Sequence, residues 1–303
     1  MAILTADQIL VIGLQIAHYD HRRRARACRE TNVDRFDSFY GSKPNVCAII
    51  WEDLQTTDIE EARIPVDSSV HEFLMALAFL KMYPTENVGE GIFKKSKKTL
   101  RKWSWYYASK IQNLKAAKIV WPDRWNQNNP NVNSAHTETF LCTVDGVHCS
   151  IEEPKHPVYP KNPQMYSHKS QSAGLCYEIA ISLWEDQVVW INGPFEASKH
   201  DATIFREEGL MDKVPDGKLV IADRVYRKLA NKVSISRSQD TEAVRRLKGR
   251  AKARQESFNS RIKNFGCLRQ NFRHKTDKHK TCFEAVCVIC QYQLENGSPL
   301  FTV

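Results

Sequence analysis

Hydrophobic positions recur at helical spacing through the first ~125 residues and switch to strand-like alternation after residue 139. Ile9, Ile12 and Ile16 fall at i, i+3 and i+7, predicting a helix over Thr5 to Ile16 that leads into the basic block His21-Arg22-Arg23-Arg24-Ala25-Arg26. Val70, Phe73, Leu74, Leu77, Ala78, Phe79 and Leu80 predict another apolar helix, which Pro84-Thr85-Glu86-Asn87 and Gly89 to Gly91 are expected to break. Ser96 is placed to cap the next helix, along which Leu100, Trp103, Tyr107, Ile111 and Leu114 form one buried stripe. Helix, short Gly-containing turn, then basic helix is the outline of a helix-turn-helix, expected here over residues 68–121.

The polar stretch Asn126 to Asn133 predicts a domain boundary, giving a helical region over 1–125 and a second domain over 126–303. Beyond it, Phe140, Cys142 and Val144 alternate with Leu141, Thr143 and Asp145, a strand pattern over Thr139 to Ile151. A Pro-rich loop (Pro154, Pro157, Pro160, Pro163) comes next, then two apolar runs, Leu175 to Trp184 and Val188 to Ile191, that read as a β-hairpin. Asp201 is placed to cap a short helix, Lys218 to Asp223 is a buried strand ending in an acid, and helices over Glu242 to about Arg273 and Cys282 to about Leu294 close the chain. Three strands, a helix, a strand and a helix predict an RNase H-like α/β domain. In that fold a three-stranded antiparallel meander is followed by a crossover that returns the fourth strand parallel to the first.

Composition narrows the class. With 303 residues and 42% hydrophobic content, the chain buries a core and is not a disordered one. Its net charge of +9 suits a polyanion, and the clustering says more than the sum. Nine Lys/Arg, including Lys94, Lys95, Lys97, Lys98, Arg101 and Lys102, lie between Gly91 and Pro122 with no Asp or Glu, which points to a DNA-binding surface; a solvated lysine face on a helical bundle has the same pattern. A second cluster of thirteen Lys/Arg runs from Arg245 to Lys280 and includes Arg254, Arg261 and Lys263, set against only Glu256 and Asp277. No apolar run reaches membrane-spanning length and nine scattered cysteines suit a reducing compartment, so a soluble, unsecreted protein is expected. The Cys287–Cys290 pair sits in an apolar run and reads as core rather than as a metal motif.

The predicted crossover sets Asp145 and Asp223 side by side on central strands, where a buried acid is costly unless it is paired or binds a cation. Glu256, nearly alone among basic residues, is the third carboxylate. Three acids that hold divalent cations suit phosphodiester cleavage, in which the ions serve the attacking and leaving oxygens. Gly249, Ala253, Glu256 and Ser260 form a stripe of small residues expected to bring this helix close to the sheet, with Phe258, Ile262 and Phe265 as a competing apolar stripe. His200 and Asp201 are secondary candidates, and capping is the plainer role for Asp201.

Four blocks carry a family resemblance: Thr143-Val144-Asp145-Gly146-Val147-His148, Gly193-Pro194 with His200-Asp201-Ala202, Ile221-Ala222-Asp223-Arg224-Val225-Tyr226, and Ala253 to Gly266 around Glu256. In order and spacing they resemble the PIF/Harbinger-type DDE transposases. The resemblance implies DNA cleavage and strand transfer by Asp145, Asp223 and Glu256 on two Mg2+ or Mn2+ ions. It further implies transposon-end and target double-stranded DNA as substrate, action as a homo-oligomer in the nucleus, and a separate Myb-like DNA-binding partner. The chain departs from the family at Val147, where Thr is usual, and at Val225, where Gly is usual; a β-branched residue at 225 is expected to shift Asp223. A domesticated chain that binds DNA without cutting it is the alternative, and a hydrolase of small phosphates a third reading.

Overall fold

The computed structural model describes residues 4–21, 26–126, 139–152 and 163–303. Most of the basic block at 21–26, the boundary stretch at 126–133 and the Pro-rich loop at 154–163 therefore lie outside the described residues. In chain order the helices are α1 (Ala6–Ile16), α2 (Arg29–Tyr40), α3 (Pro44–Thr56), α4 (Val70–Met82), α5 (Glu86–Phe93), α6 (Lys97–Asn113) and α7 (Lys115–Lys118). Strands β1 (Phe140–Ser150), β2 (Tyr166–Ser167), β3 (Ser172–Ser182) and β4 (Val188–Glu196) come next, then α8 (Asp201–Glu207), α9 (Leu210–Lys213), β5 (Leu219–Ile221) and β6 (Val233–Ser234). Helices α10 (Glu242–Lys263), α11 (Gly266–Arg269) and α12 (Thr276–Glu295) end the chain.

Two compact units result. One holds residues 1–118, 262–270 and 274–298, the other 119–261, 271–273 and 299–303. This differs from a single cut near residue 126, because α12 packs with α6 and α3. The reason is its composition: Cys282 to Cys290 is buried all round, so the helix needs apolar neighbours on every side.

In the helical unit, α4 is likewise buried on nearly every face, and Trp51, Phe73 and Tyr107 form an aromatic cluster across α3, α4 and α6. The stripe expected on α6 is present, with Leu100, Tyr107, Ile111 and Leu114 buried and Trp103 only half-buried, and the Ser96 side chain accepts from Thr99 N as a cap. Residues 86–93 are not the expected break. Thr85 caps α5 by accepting from Val88 N, and Gly89 lets it lie against α6, since a Cβ at 89 would stand 3.3 Å from Leu100. The short turn between α5 and α6 is Lys94 to Ser96, with Lys94 in the left-handed region (φ 53°). Cys287 and Cys290 are buried core residues, as their apolar setting predicts.

The second unit is a mixed sheet flanked by helices. Its order is β4-β3-β1-β5-β6, with the two-residue β2 also paired to β3. β1, β3 and β4 form the antiparallel meander; β5 returns parallel to β1 after α8 and α9, as the order of elements predicts. Cys142 and Val144, on one face of β1, join a core with Leu141, Ala180, Phe205, Leu210 and Tyr226, whereas Phe140 packs with Leu183, Ile221 and Ala251. The expected alternation fails at Phe140 and Leu141, the first two residues of β1, where the register shifts between Phe140 and Thr143. Thr143 and Asp145 point to the other face, which α10 covers, with Ala251 packed on Ile221 and Leu183.

Candidate active site

Register decides the position of the first two acids. Thr143 of β1 pairs with Ile221 of β5 in parallel, so two residues further along each chain Asp145 and Asp223 stand at the same level on the same face. Asp145 lies within its strand; Asp223 lies just past the end of β5, where it opens a single 3-10 turn (Arg224–Tyr226). Glu256 comes from α10, and all three carboxylates line one small cleft with Thr143, Lys252 and Gln255.

Their environments differ. Asp145 is half-buried, and burial pushes its carboxyl up to about 6; the charges of Asp201 and Asp223 push the same way, while a hydrogen bond from Gly146 N (2.9 Å) opposes them. Its other oxygen accepts from Asn259 Nδ2 at 2.8 Å. Asp223 is exposed rather than buried, and its Oδ1 accepts from Lys252 Nζ at 2.8 Å. Glu256 is exposed on the cleft wall.

Asp201 is not a helix cap. The cap position belongs to His200, neither side chain makes a capping bond, and Asp201 is the first residue of α8. Its carboxylate is instead lodged against the backbone of Gly146: a Cβ built there would meet Asp201 Oδ1 at 2.1 Å. Burial raises the Asp201 carboxyl, an effect that Lys169 and then His200 oppose and Asp223 reinforces. His200 is itself exposed. Gly146 shares its face with Glu178, its partner on β3. Glu178 is 2% exposed and burial lifts it to about 8; one oxygen accepts from Trp190 Nε1 at 3.0 Å and the other has no hydrogen-bond partner.

The small-residue stripe expected on α10 does not face the sheet. Gly249, Ala253, Glu256 and Ser260 are all exposed, and no atom approaches within 4 Å of a Cβ placed at 249. The buried positions are Lys248, Ala251, Arg254, Gln255, Phe258 and Ile262, the competing apolar stripe extended by long polar chains that each find a partner. Lys252 and Gln255 thus line the cleft and Asn259 reaches it through Asp145, three residues that the acid pattern alone does not single out. Helical spacing from Glu256 puts 252 and 259 near the same face, and Gln255 and Asn259 fall within the block Ala253 to Gly266, though nothing in that block marks them out from their neighbours. Val225 is 52% exposed with no left-handed backbone, so the expected displacement of Asp223 by a β-branched residue has no basis there. Val147 is buried on β1.

The expected DNA contacts separate into two sets. Lys94, Lys95, Lys97, Lys98, Arg101 and Lys102 are all exposed, at the turn and first residues of α6. Arg101 is held by both oxygens of Glu86 (2.9 Å each), an acid that stands outside the acid-free stretch in sequence but against it in space. Lys102 lies over the Trp103 ring, 4.2 Å from its centroid. Arg254 is different: its side chain is 3% exposed and donates to the carbonyls of Phe301 (2.5 Å) and Glu185 (2.6 Å) and to Asp186 Oδ1 (2.9 Å), so it is a buried tether and not a surface contact. Arg261 is half-buried, and Lys263 donates to the Leu268 carbonyl at 3.0 Å.

Among the described residues no group of three or more His, Cys, Asp or Glu side chains is gathered to hold a metal ion. The donor chemistry of the cleft nonetheless fits a hard divalent cation. The donors are carboxylate oxygens, and Asp145 is held above its ordinary range partly by acidic neighbours, a local deficit of positive charge. Lys252 covers part of that deficit, at Asp223 alone.

A mixed sheet in this order, flanked by helices, with one acid within β1 and another just past the end of its parallel neighbour β5, is an α/β domain of the RNase H-like kind. Residues 144–291 match the family model described as DDE superfamily endonuclease, a span that contains Asp145, Asp201, Asp223 and Glu256. No curated protein and no solved structure matches the chain. Among the described residues no helix is long and apolar enough to cross a membrane.

Proposed function

We propose that this chain is a metal-dependent DNA endonuclease of the transposase type, with Asp145, Asp223 and Glu256 as its catalytic carboxylates. The observation that carries the reading is the shared level of Asp145 and Asp223 on parallel neighbours, with Glu256 on the wall of the same cleft, inside the span that is similar to DDE superfamily endonucleases. Two Mg2+ or Mn2+ ions, when bound there, supply Lewis-acid stabilisation and a nucleophile of lowered pKa. The chain's own residues do the rest. Asp145 offers a carboxylate fixed by neutral donors, Asp223 one that is freed when Lys252 moves away, and Glu256 one that reaches in from the solvent side of α10.

The exposed lysines of the α5–α6 turn serve DNA binding in this reading, with the helical region ahead of residue 126 as the DNA-reading part. Double-stranded DNA as transposon end and target, a PIF/Harbinger-type subfamily, nuclear action, homo-oligomerisation on DNA and a Myb-like partner complete it, on the strength of the four sequence blocks. The Lys252–Asp223 ion pair favours a second reading, a DNA-binding protein that no longer cuts, because an ammonium at a ligand oxygen competes with a cation.

Nicking of supercoiled plasmid in Mn2+ separates the two. The endonuclease reading expects nicking by the wild type and its loss in Asp145→Asn, Asp223→Asn and Glu256→Gln, with DNA affinity unchanged. Nicking that survives all three changes sinks the assignment of these acids.

A further inference from the structure

We infer that Asn259 and Gln255 are positioning residues that hold Asp145 for a cation and tie it to the helix that carries Glu256; the assignment rests on the endonuclease reading above. A run of hydrogen bonds crosses from β1 to α10 and back: Thr143 Oγ1 donates to Gln255 Oε1 (2.6 Å), Gln255 Nε2 donates to Asn259 Oδ1 (3.2 Å), and Asn259 Nδ2 donates to Asp145 Oδ2 (2.8 Å). The sense of every link follows from its last member. A carboxylate only accepts, so Asn259 must turn its NH2 towards Asp145, which leaves its oxygen for Gln255 and the oxygen of Gln255 for the Thr143 hydroxyl. Neither amide is free to flip without breaking two bonds, and Gln255 is only 3% exposed, so no water replaces a lost one cheaply.

The chemistry suits a cation ligand. With Gly146 N on Oδ1 and Asn259 on Oδ2, each oxygen of Asp145 keeps lone-pair capacity for a further contact. Both donors are neutral, so they fix the carboxylate without cancelling the charge that a divalent ion needs. An Arg or Lys in place of Asn259 would orient Asp145 equally well and neutralise it, as Lys252 does at Asp223. Gln255 and Asn259 stand one residue before and three residues after Glu256, so the same two amides set the position of the strand acid and of the helix turn bearing the third acid. Partners of metal ligands of this kind are worth about 10- to 100-fold in metal affinity or activity.

The test is Mn2+ binding by isothermal titration calorimetry on the full chain, with near-UV circular dichroism as the check on folding. Wild type is expected to bind Mn2+ in a way that Asp145→Asn abolishes. Asn259→Leu, which keeps the branching at Cγ and lacks the donor, should weaken binding about tenfold. Gln255→Met, which touches no acid, should weaken it by a smaller factor with the wild-type spectrum retained, and it decides the matter if Asn259→Leu does not fold. Asp145-dependent binding that neither folded variant changes overturns the positioning role and leaves the endonuclease reading standing. Absence of Asp145-dependent Mn2+ binding in the wild type overturns that reading and this assignment together.

Discussion

The ammonium of Lys252 lies 2.8 Å from Oδ1 of Asp223, and both side chains line the cleft that holds Asp145 and Glu256. The pair is partly exposed, with Asp223 at 63%, so it is worth at most about 1 kcal/mol and its rupture is within reach of ligand binding. Lys252→Met is expected to tighten Mn2+ binding about two- to fivefold, the factor that such an energy corresponds to. Calorimetric titration reads it directly; weaker binding in the variant would mean that Lys252 assists the cation and does not compete with it.

Glu178 makes stability depend on pH. Its folded carboxyl lies near 8 against an ordinary value of 4.5, so between these limits the folded state holds a proton that the unfolded state has lost. Its contribution is therefore fully present below about pH 4.5 and fades as pH rises through about 8. Glu178→Gln keeps an acceptor for Trp190 and abolishes the titration. The variant should gain stability over the wild type on going from pH 5 to pH 9, on the order of a few kcal/mol, in urea melts at both pH values. A constant difference across that range would contradict the raised value.

Arg254 should matter to stability more than to DNA. Its guanidinium is buried and joins the partly exposed Asp186 with the carbonyls of Glu185 and Phe301, and its removal takes the donor from all three. Arg254→Met is expected to cost about 2 kcal/mol in urea unfolding while the salt dependence of DNA binding stays unchanged. A change in salt dependence without loss of stability would return Arg254 to the DNA-contact set.

Lys97 and Lys98 are expected to behave differently from Arg101. Each lysine that contacts a phosphate contributes about 0.9 to the slope of log K against log salt, so the double change to Ala should flatten the slope by roughly two. Arg101 is already neutralised by Glu86, and Arg101→Ala should move the slope less than either lysine. Fluorescence anisotropy with a labelled duplex at several salt concentrations makes the comparison; equal effects at 97, 98 and 101 would refute the screening by Glu86.

The order of the sheet is legible because the chain alternates apolar and polar positions strand by strand, and the pairing of Thr143 with Ile221 carries Asp145 and Asp223 into one cleft; the alternation at the start of β1 is not, because the register shifts between Phe140 and Thr143. The stripe on α6 and the buried cysteines of α12 were legible for a similar reason, since apolar periodicity is what burial acts on. Helix α5 was not, because Gly89 reads as a breaker locally while its value is steric, in the approach to Leu100. The sheet-facing side of α10 was misread because Lys248, Arg254 and Gln255 look like surface residues until their partners at Asp240, Asp186 and Thr143 are in place. The bonds of Asn259 to Asp145 and of Lys252 to Asp223 are not legible in the sequence, since a contact across 114 or 29 residues leaves no local mark.

Gly146 and Asp201 are fifty-five positions apart in sequence (201 − 146), yet one is shaped by the other. The space a side chain would occupy at 146 is already filled by the Asp201 carboxylate. The Asp-Gly pair of one block and the His-Asp pair of another are therefore two halves of a single steric contact, and they ought to drift together. Homologous chains that gain a side chain at 146 should have lost the acid at 201, and chains that keep the acid should keep the glycine.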